Sequence, residues 1–231
     1  MHTLKMTLTH VANAPVACIL SGMAILFTAM PSFGNAFEFH FSEFQFHKGT
    51  TEPWMLSWPP SWIGNLQSGL RILGCNWLHW SVDHLCWDLF MFYLIGSICE
   101  HRNRLAFLAV TLVSGLAIPV TVMFLSPELG SYRGLSGIDT ALFALLGTNW
   151  LWDAVRDRDM AAILVSSGLL AAMVLKIAYE LTSQKLLFVT DGTFTPAPTA
   201  HSIGALIGGV IAIVVASKAL PCRIASNPIP A

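Results

Sequence analysis

The chain has 231 residues, 55% of them hydrophobic and 11% charged, with a formal net charge of -1 at neutral pH. A water-soluble domain carries about 25% charged residues, so this surface cannot be mostly wet, and an ordinary cytosolic or disordered chain is excluded. Lys and Arg (12) nearly cancel Asp and Glu (13), so no basic field is available for nucleic acid; an integral membrane protein remains.

A helix needs about 20 apolar residues to cross a bilayer, and six runs qualify: 15–34, 84–100, 105–125, 136–152, 160–181 and 201–219. The first follows Lys5 and ends near Gly34-Asn35-Ala36. That pattern also fits a secretory signal peptide, but the run is long for one, and a span is favoured. An outer loop, 35–81, comes next. It is rich in aromatics: Phe37, Phe39, Phe41, Phe44, Phe46, Trp54, Trp58, Trp62, Trp77 and Trp80. Trp prefers headgroup depth, which predicts a loop lying partly in the interface. Phe37-Glu38-Phe39-His40-Phe41 alternates with strand period, with no partner strand visible, so an interfacial strand and an irregular segment both fit. Pro53, Pro59 and Pro60 break any helix there.

Lys and Arg bias sets orientation. With the N-terminus inside, the inner segments hold Lys5, Arg102, Arg104, Arg156, Arg158, Lys218 and Arg223, and the outer ones Lys48, Arg71, Arg133 and Lys185. This favours cytoplasmic N- and C-termini. No internal repeat is visible, and one domain over 1–231 is the simplest organisation. Cys18, Cys75, Cys86, Cys99 and Cys222 form no CxxC and are odd in number. They read as small apolar side chains; a zinc site from Cys86 and His84 is the weaker alternative.

Polar residues at membrane depth are costly and face the protein interior. Here they are His84, Asp88, Ser136, Asp139, Lys176 and His201, with Glu180 near a span end. Each alone fits a helix–helix hydrogen bond; their spacing says more. His84 and Asp88 are four apart and stack on one helix face. Tyr132-Arg133-Gly134-Leu135-Ser136-Gly137 opens the fourth run. A helix starting near Ser136 leaves free N–H groups and a positive end there, able to stabilise an oxyanion, while Gly134 and Gly137 admit a substrate backbone. The plainer reading of Ser136 is a helix cap. In the sixth run, His201, Gly204 and Gly208 share one face, and the GxxxG spacing allows close helix approach. Ser136 and His201 both open outside-to-inside runs, so they lie at similar depth, and a serine nucleophile needs such a base.

In combination these residues resemble the rhomboid intramembrane serine proteases. Gly134-Leu135-Ser136-Gly137 is similar to the family's GxSG motif, Ala200-His201-x-x-Gly204-x-x-x-Gly208 to its AHxxGxxxG motif, and His84-Leu85-Cys86-Trp87-Asp88 to its HxxxN motif. Arg71 fits the family's arginine in the first outer loop, with Leu70 in place of the usual tryptophan. Leu78-His79, Glu100 and Arg102 also keep family spacing. The resemblance covers roughly 70–210. It implies an all-α, six-span bundle with a Ser136–His201 dyad and no metal or cofactor. His84 and the Ser136 backbone would form the oxyanion site, supported by Asp88, Gly134 and Leu135. Substrates would be membrane-anchored polypeptides cut near the outer face of a bacterial inner membrane; the bilayer is the other partner.

Two departures stand out. Asp88 replaces the family's Asn, and an ionised Asp cannot donate to an oxyanion, so it is either protonated or acts through His84. Thr140 stands where many relatives have a Tyr against the histidine. Asp139 offers itself as a group to hold the His201 tautomer, or as a partner for Lys176. The compact form, Asp88 and Lys176-x-x-Tyr179-Glu180 resemble the rhombosortase branch, whose members are thought to trim C-terminal sorting tails of exported proteins. Lys176 and Glu180 then read as a mutually neutralising i,i+4 pair or as a contact for the tail. Two rivals stay open: an inactive relative that binds membrane clients, and a transporter relaying protons through Asp88, Asp139, Lys176 and Glu180, against which the lack of an inverted repeat counts. The oligomeric state is open.

Overall fold

The computed structural model describes residues 14–29, 39–40, 47–49, 52–55, 72–129, 131–183, 185 and 197–224. Among them are six helices of 15 residues or more: α1 (Pro15–Ala29), α2 (Val82–Arg102), α3 (Arg104–Leu125), α4 (Ser136–Asp157), α5 (Met160–Ser183) and α6 (Pro198–Ile224). They overlap the six apolar runs; among the described residues α1 ends at Ala29, short of the expected 34, and α4 and α6 run beyond the expected 152 and 219 to Asp157 and Ile224. α2, α3, α5 and the Pro198–Lys218 part of α6 are long and apolar enough to cross a membrane, and α1 is a shorter apolar helix. The protein is an all-helical integral membrane protein, and its lipid-facing surface carries exposed Leu105, Leu164, Val165, Leu175 and Leu206.

Local chemistry sets the helix ends. Ser81 caps α2 by accepting from the His84 N–H at 3.2 Å, leaving one of the first-turn donors satisfied. Asn103 both ends α2 and caps α3, accepting from the Ala106 N–H at 3.0 Å. Arg158 closes α4 in the left-handed conformation, φ 57°, and Pro198 opens α6 at the one position where a missing N–H costs nothing.

α4 is the central helix, packing against α2, α3, α5 and α6. Gly137, Ile138, Ala141, Leu142, Leu145 and Leu146 of α4 are buried. α5 is the peripheral one, burying only Ser166, Ile177 and Glu180. α1 docks on α2 through Glu100, whose carboxylate accepts from the Ala17 N–H at 2.9 Å and the Val16 N–H at 3.3 Å. Near that end of the bundle, Arg102 pairs with Asp153, and Arg156 reaches Asp153 at 3.1 Å. The starts of α2, α4 and α6 lie at the other end.

The loop between α1 and α2 differs from the expectation in two ways. Phe39–His40 (β1) does have a partner: it pairs antiparallel with Ser131–Tyr132 (β4), Phe39 opposite Tyr132. A second ladder joins β2 (His47–Gly49) to β3 (Glu52–Met55). The loop's last stretch is core rather than interface. Cys75, Asn76 and Trp77 form a buried 3-10 turn, and Trp77 packs edge-on against Phe92 with centroids 5.6 Å apart. The Asn76 amide donates to the Gly115 carbonyl at 2.9 Å, tying the turn to α3. Trp80, by contrast, is partly exposed, with the Arg133 guanidinium 4.2 Å above its ring. Arg71 and the other loop aromatics from Phe41 to Trp62, Trp54 excepted, lie outside the described residues.

Candidate active site

The segment leading into α4 is held by four separate ties. Tyr132 sits in the β1–β4 ladder. Its hydroxyl donates to the Gly134 carbonyl at 3.2 Å. The Gly134 N–H donates to the Cys75 carbonyl at 3.3 Å. The Leu135 N–H donates to Asp88 Oδ2 at 2.9 Å. Gly134 has φ 122°, a region side chains rarely adopt, and a Cβ there would meet His84 Cε1 at 2.9 Å and Asp88 Oδ2 at 3.4 Å. Both demands select glycine. The loop thus lies directly on the His84–Asp88 face of α2 and delivers Ser136, half-buried, as the first residue of α4.

Asp88 Oδ2 gathers donors. Besides Leu135 N–H, it lies 3.3 Å from His84 Nε2 and 3.2 Å from His79 Nε2. His79 Nδ1 is 3.3 Å from the Thr28 hydroxyl. Burial pushes the His79 imidazole below its usual range, against the pull of Asp88. The sequence offered two roles for Asp88, a protonated donor or a partner of His84. The geometry adds a third, as acceptor for the backbone of the loop before Ser136.

α6 meets α4 at very close range. A Cβ on Gly137 would meet the Ala200 carbonyl oxygen at 3.2 Å and Ile118 Cδ1 at 2.9 Å. A Cβ on Gly204 would overlap the Gly137 carbonyl, and one on Gly208 the Ala141 carbonyl. Ser136 and His201 are the chain neighbours of this contact, one before Gly137 and the other after Ala200. The start of α6 is fixed to the end of α3 by the Ser126 and Thr199 hydroxyls, 2.8 Å apart.

His201 is buried, and its Nδ1 is 2.7 Å from Glu180 Oε2. The other Glu180 oxygen lies 2.8 Å from Lys176 Nζ. The group holding His201 is therefore Glu180, not Asp139. Nor does Asp139 pair with Lys176, whose ammonium is engaged by Glu180. Asp139 is buried on α4, and its Oδ1 has no hydrogen-bond partner among the described residues. The Thr140 hydroxyl donates to the Ser136 carbonyl at 2.8 Å within α4, where the family's Tyr would face the histidine.

The site residues fall into two groups that meet at the start of α4. His84, Asp88, Gly134 and Leu135 form one; His201, Glu180 and Lys176 form the other. His79 and Tyr132 join the first group. His79 is a side chain that sequence spacing noted but gave no role, because nothing local aims it at Asp88. Chemically, the two groups offer a serine at a helix N-terminus, where first-turn N–H groups lack partners inside the helix, and an imidazole on the neighbouring helix fixed at one nitrogen.

A family model described as Rhomboid domain matches residues 67–218, more than half of the chain. Its members are typically intramembrane serine proteases, and this chain belongs to that family. A search of curated proteins returned no match.

Proposed function

We propose that this rhomboid-family chain is a single-domain intramembrane serine endopeptidase, with Ser136 as nucleophile and His201 as general base. The observation that supports the reading is the close contact of α4 and α6 at Gly137, Ala200 and Gly204, because Ser136 and His201 are the chain neighbours of that contact.

With Nδ1 engaged by Glu180, His201 has Nε2 left for chemistry. Ser136 Oγ bonds to the scissile carbonyl carbon as its proton passes to Nε2, and the carbonyl π pair moves onto oxygen. The Ser136 N–H, one of the first-turn donors with no partner inside the helix, stabilises that oxyanion, and His84, its Nε2 against Asp88 Oδ2, supports the loop that carries it. The oxyanion's pair then re-forms the carbonyl as the C–N bond breaks, and the proton on Nε2 goes to the leaving amine. Water, activated by the same imidazole, hydrolyses the acyl-enzyme.

On this reading α1–α6 all span the membrane with both termini cytoplasmic, and the site opens to the outer face of a bacterial inner membrane. Substrates are membrane-anchored polypeptides that unwind near that face. The Asp88 variant and the Lys176–Glu180 pair favour the rhombosortase branch, with sorting tails of exported proteins as substrates.

A fluorophosphonate probe tests the reading. Wild type should label, and Ser136→Ala and His201→Ala should not. Labelling of Ser136→Ala would remove the nucleophile assignment. An unlabelled wild type that still binds membrane clients would replace the protease with an inactive relative.

A further inference from the structure

Glu180 is an unusual residue for its position. Of the four helices long and apolar enough to cross a membrane, α5 buries the smallest share of its length, yet its one glutamate is turned inward and its side chain is 1% exposed. A carboxyl at membrane depth is expensive unless it is paired, and this one faces an imidazole on one side and an ammonium on the other. Oε2 reaches across to α6 and His201 Nδ1 at 2.7 Å, while Oε1 takes Lys176 Nζ at 2.8 Å, one turn back on the same helix.

We infer that Glu180 is the positioning carboxylate of His201, completing a Ser136–His201–Glu180 triad in which Lys176 holds the carboxylate. The inference rests on the nucleophile and base assignments above. A bare i,i+4 pair needs no partner on another helix, whereas here the carboxylate also reaches His201 on α6. An imidazole that donates Nδ1–H to a carboxylate has a single useful tautomer, with its lone pair on Nε2. When Nε2 takes the Ser136 proton, Nδ1–H stays in place, and the new positive charge lies against Glu180 instead of being buried unpaired. Lys176 serves the resting state. It balances the carboxylate while His201 is neutral, and it occupies Oε1 so that Oε2 stays aimed at the ring. Its side chain is 27% exposed, so the ammonium keeps contact with the surface.

The test is the inactivation rate of the purified, detergent-solubilised protein by a fluorophosphonate, split into its maximal rate and its half-saturating concentration. Glu180→Leu should lower the maximal rate by about 100-fold, with half-saturation changed less than about twofold. Glu180→Gln is isosteric, and its amide oxygen still accepts from Nδ1–H, so it should recover part of the rate. In protein labelled with 15N-histidine, His201 should show the Nδ1–H tautomer in wild type and in Glu180→Gln, and a mixture in Glu180→Leu. A merely structural glutamate would not govern that ratio. Should Glu180→Leu fail to fold, Glu180→Gln alone decides, by a rate clearly below wild type with the tautomer kept. A folded Glu180→Gln and Glu180→Leu that both react at the wild-type rate would overturn the inference while leaving the dyad intact. If wild type itself does not react at Ser136, the protease reading fails first and the triad with it.

Discussion

Leu135 donates its backbone N–H to Asp88 Oδ2 at 2.9 Å, a bond between residues 47 apart in sequence. It makes one carboxylate the anchor of the loop that presents Ser136. Two imidazoles, His79 and His84, face the same oxygen, so the loop, the turn before α2 and α2 itself share a single acceptor.

Replacing that acceptor should separate two effects. Asp88→Asn keeps an oxygen for the Leu135 N–H and adds a donor, so the expected result is a fold of near wild-type stability that still labels at Ser136. Asp88→Leu strands the Leu135 N–H in a buried site, at a cost of about 1–3 kcal/mol. It should lower the melting temperature in detergent and abolish labelling. Equal labelling of Asp88→Leu and wild type would show that the loop does not depend on this anchor.

Gly134→Ala attacks the same loop from the backbone side. The φ of 122° and the 2.9 Å approach to His84 Cε1 both oppose a side chain. Holding a non-glycine residue in such a conformation costs about 1–3 kcal/mol. The strain can relax only by moving His84 or the loop. Labelling should therefore fall much further than thermal stability does, which parallel melting and probe-reaction curves would reveal.

How far these features could be read beforehand differed by scale. Helix positions were legible because lipid demands long apolar runs, and the starts of α4 and α5 fall where hydropathy and turn residues place them. The close approach of α6 to the start of α4 was legible from the GxxxG spacing of Gly204 and Gly208. The partner of His201 was not. Glu180 already had a sufficient local explanation in Lys176, four residues away, and only the rotation of α5 against α6 turns its second oxygen to the ring. Asp139, three residues from Ser136, was attractive by sequence proximity. Side-chain reach across helices is set by packing, which proximity along one helix does not encode. The partner of Phe39–His40 was hidden for a similar reason: Ser131–Tyr132 is too short to show a period.

The α4–α6 seam gives an internally controlled series. A methyl on Gly204 or Gly208 would run into backbone carbonyls of Gly137 and Ala141, while one on Gly209 meets nothing within 4 Å. Backbone cannot rotate away as a side chain can, so the helices must part. Gly204→Ala and Gly208→Ala should each destabilise by about 1–3 kcal/mol and reduce probe labelling by displacing His201 from Ser136. Gly209→Ala should match wild type in both. Similar melting temperatures for all three would contradict the close seam.

Glu100 makes the last case, because it acts far from the site and should leave chemistry alone. Its carboxylate, 4% exposed, accepts from the Val16 and Ala17 N–H groups and pairs with Arg104 at 2.9 Å. The free N–H groups of a helix start are a natural place for an anion, so Glu100 fastens the start of α1 to the end of α2. Glu100→Ala leaves those donors without their acceptor and Arg104 without its partner, at a cost of about 1–3 kcal/mol. Hydrogen exchange at the Val16 and Ala17 amides should rise, with a smaller rise in Glu100→Gln, whose amide oxygen keeps one acceptor. The α2, α4 and α6 starts that carry His84, Ser136 and His201 lie at the opposite end of the bundle, so the rate of probe reaction should be unchanged in whatever fraction stays folded. Unchanged exchange in Glu100→Ala would mean that apolar packing at Ala17 and Ala24, both fully buried, holds α1 in place without the carboxylate.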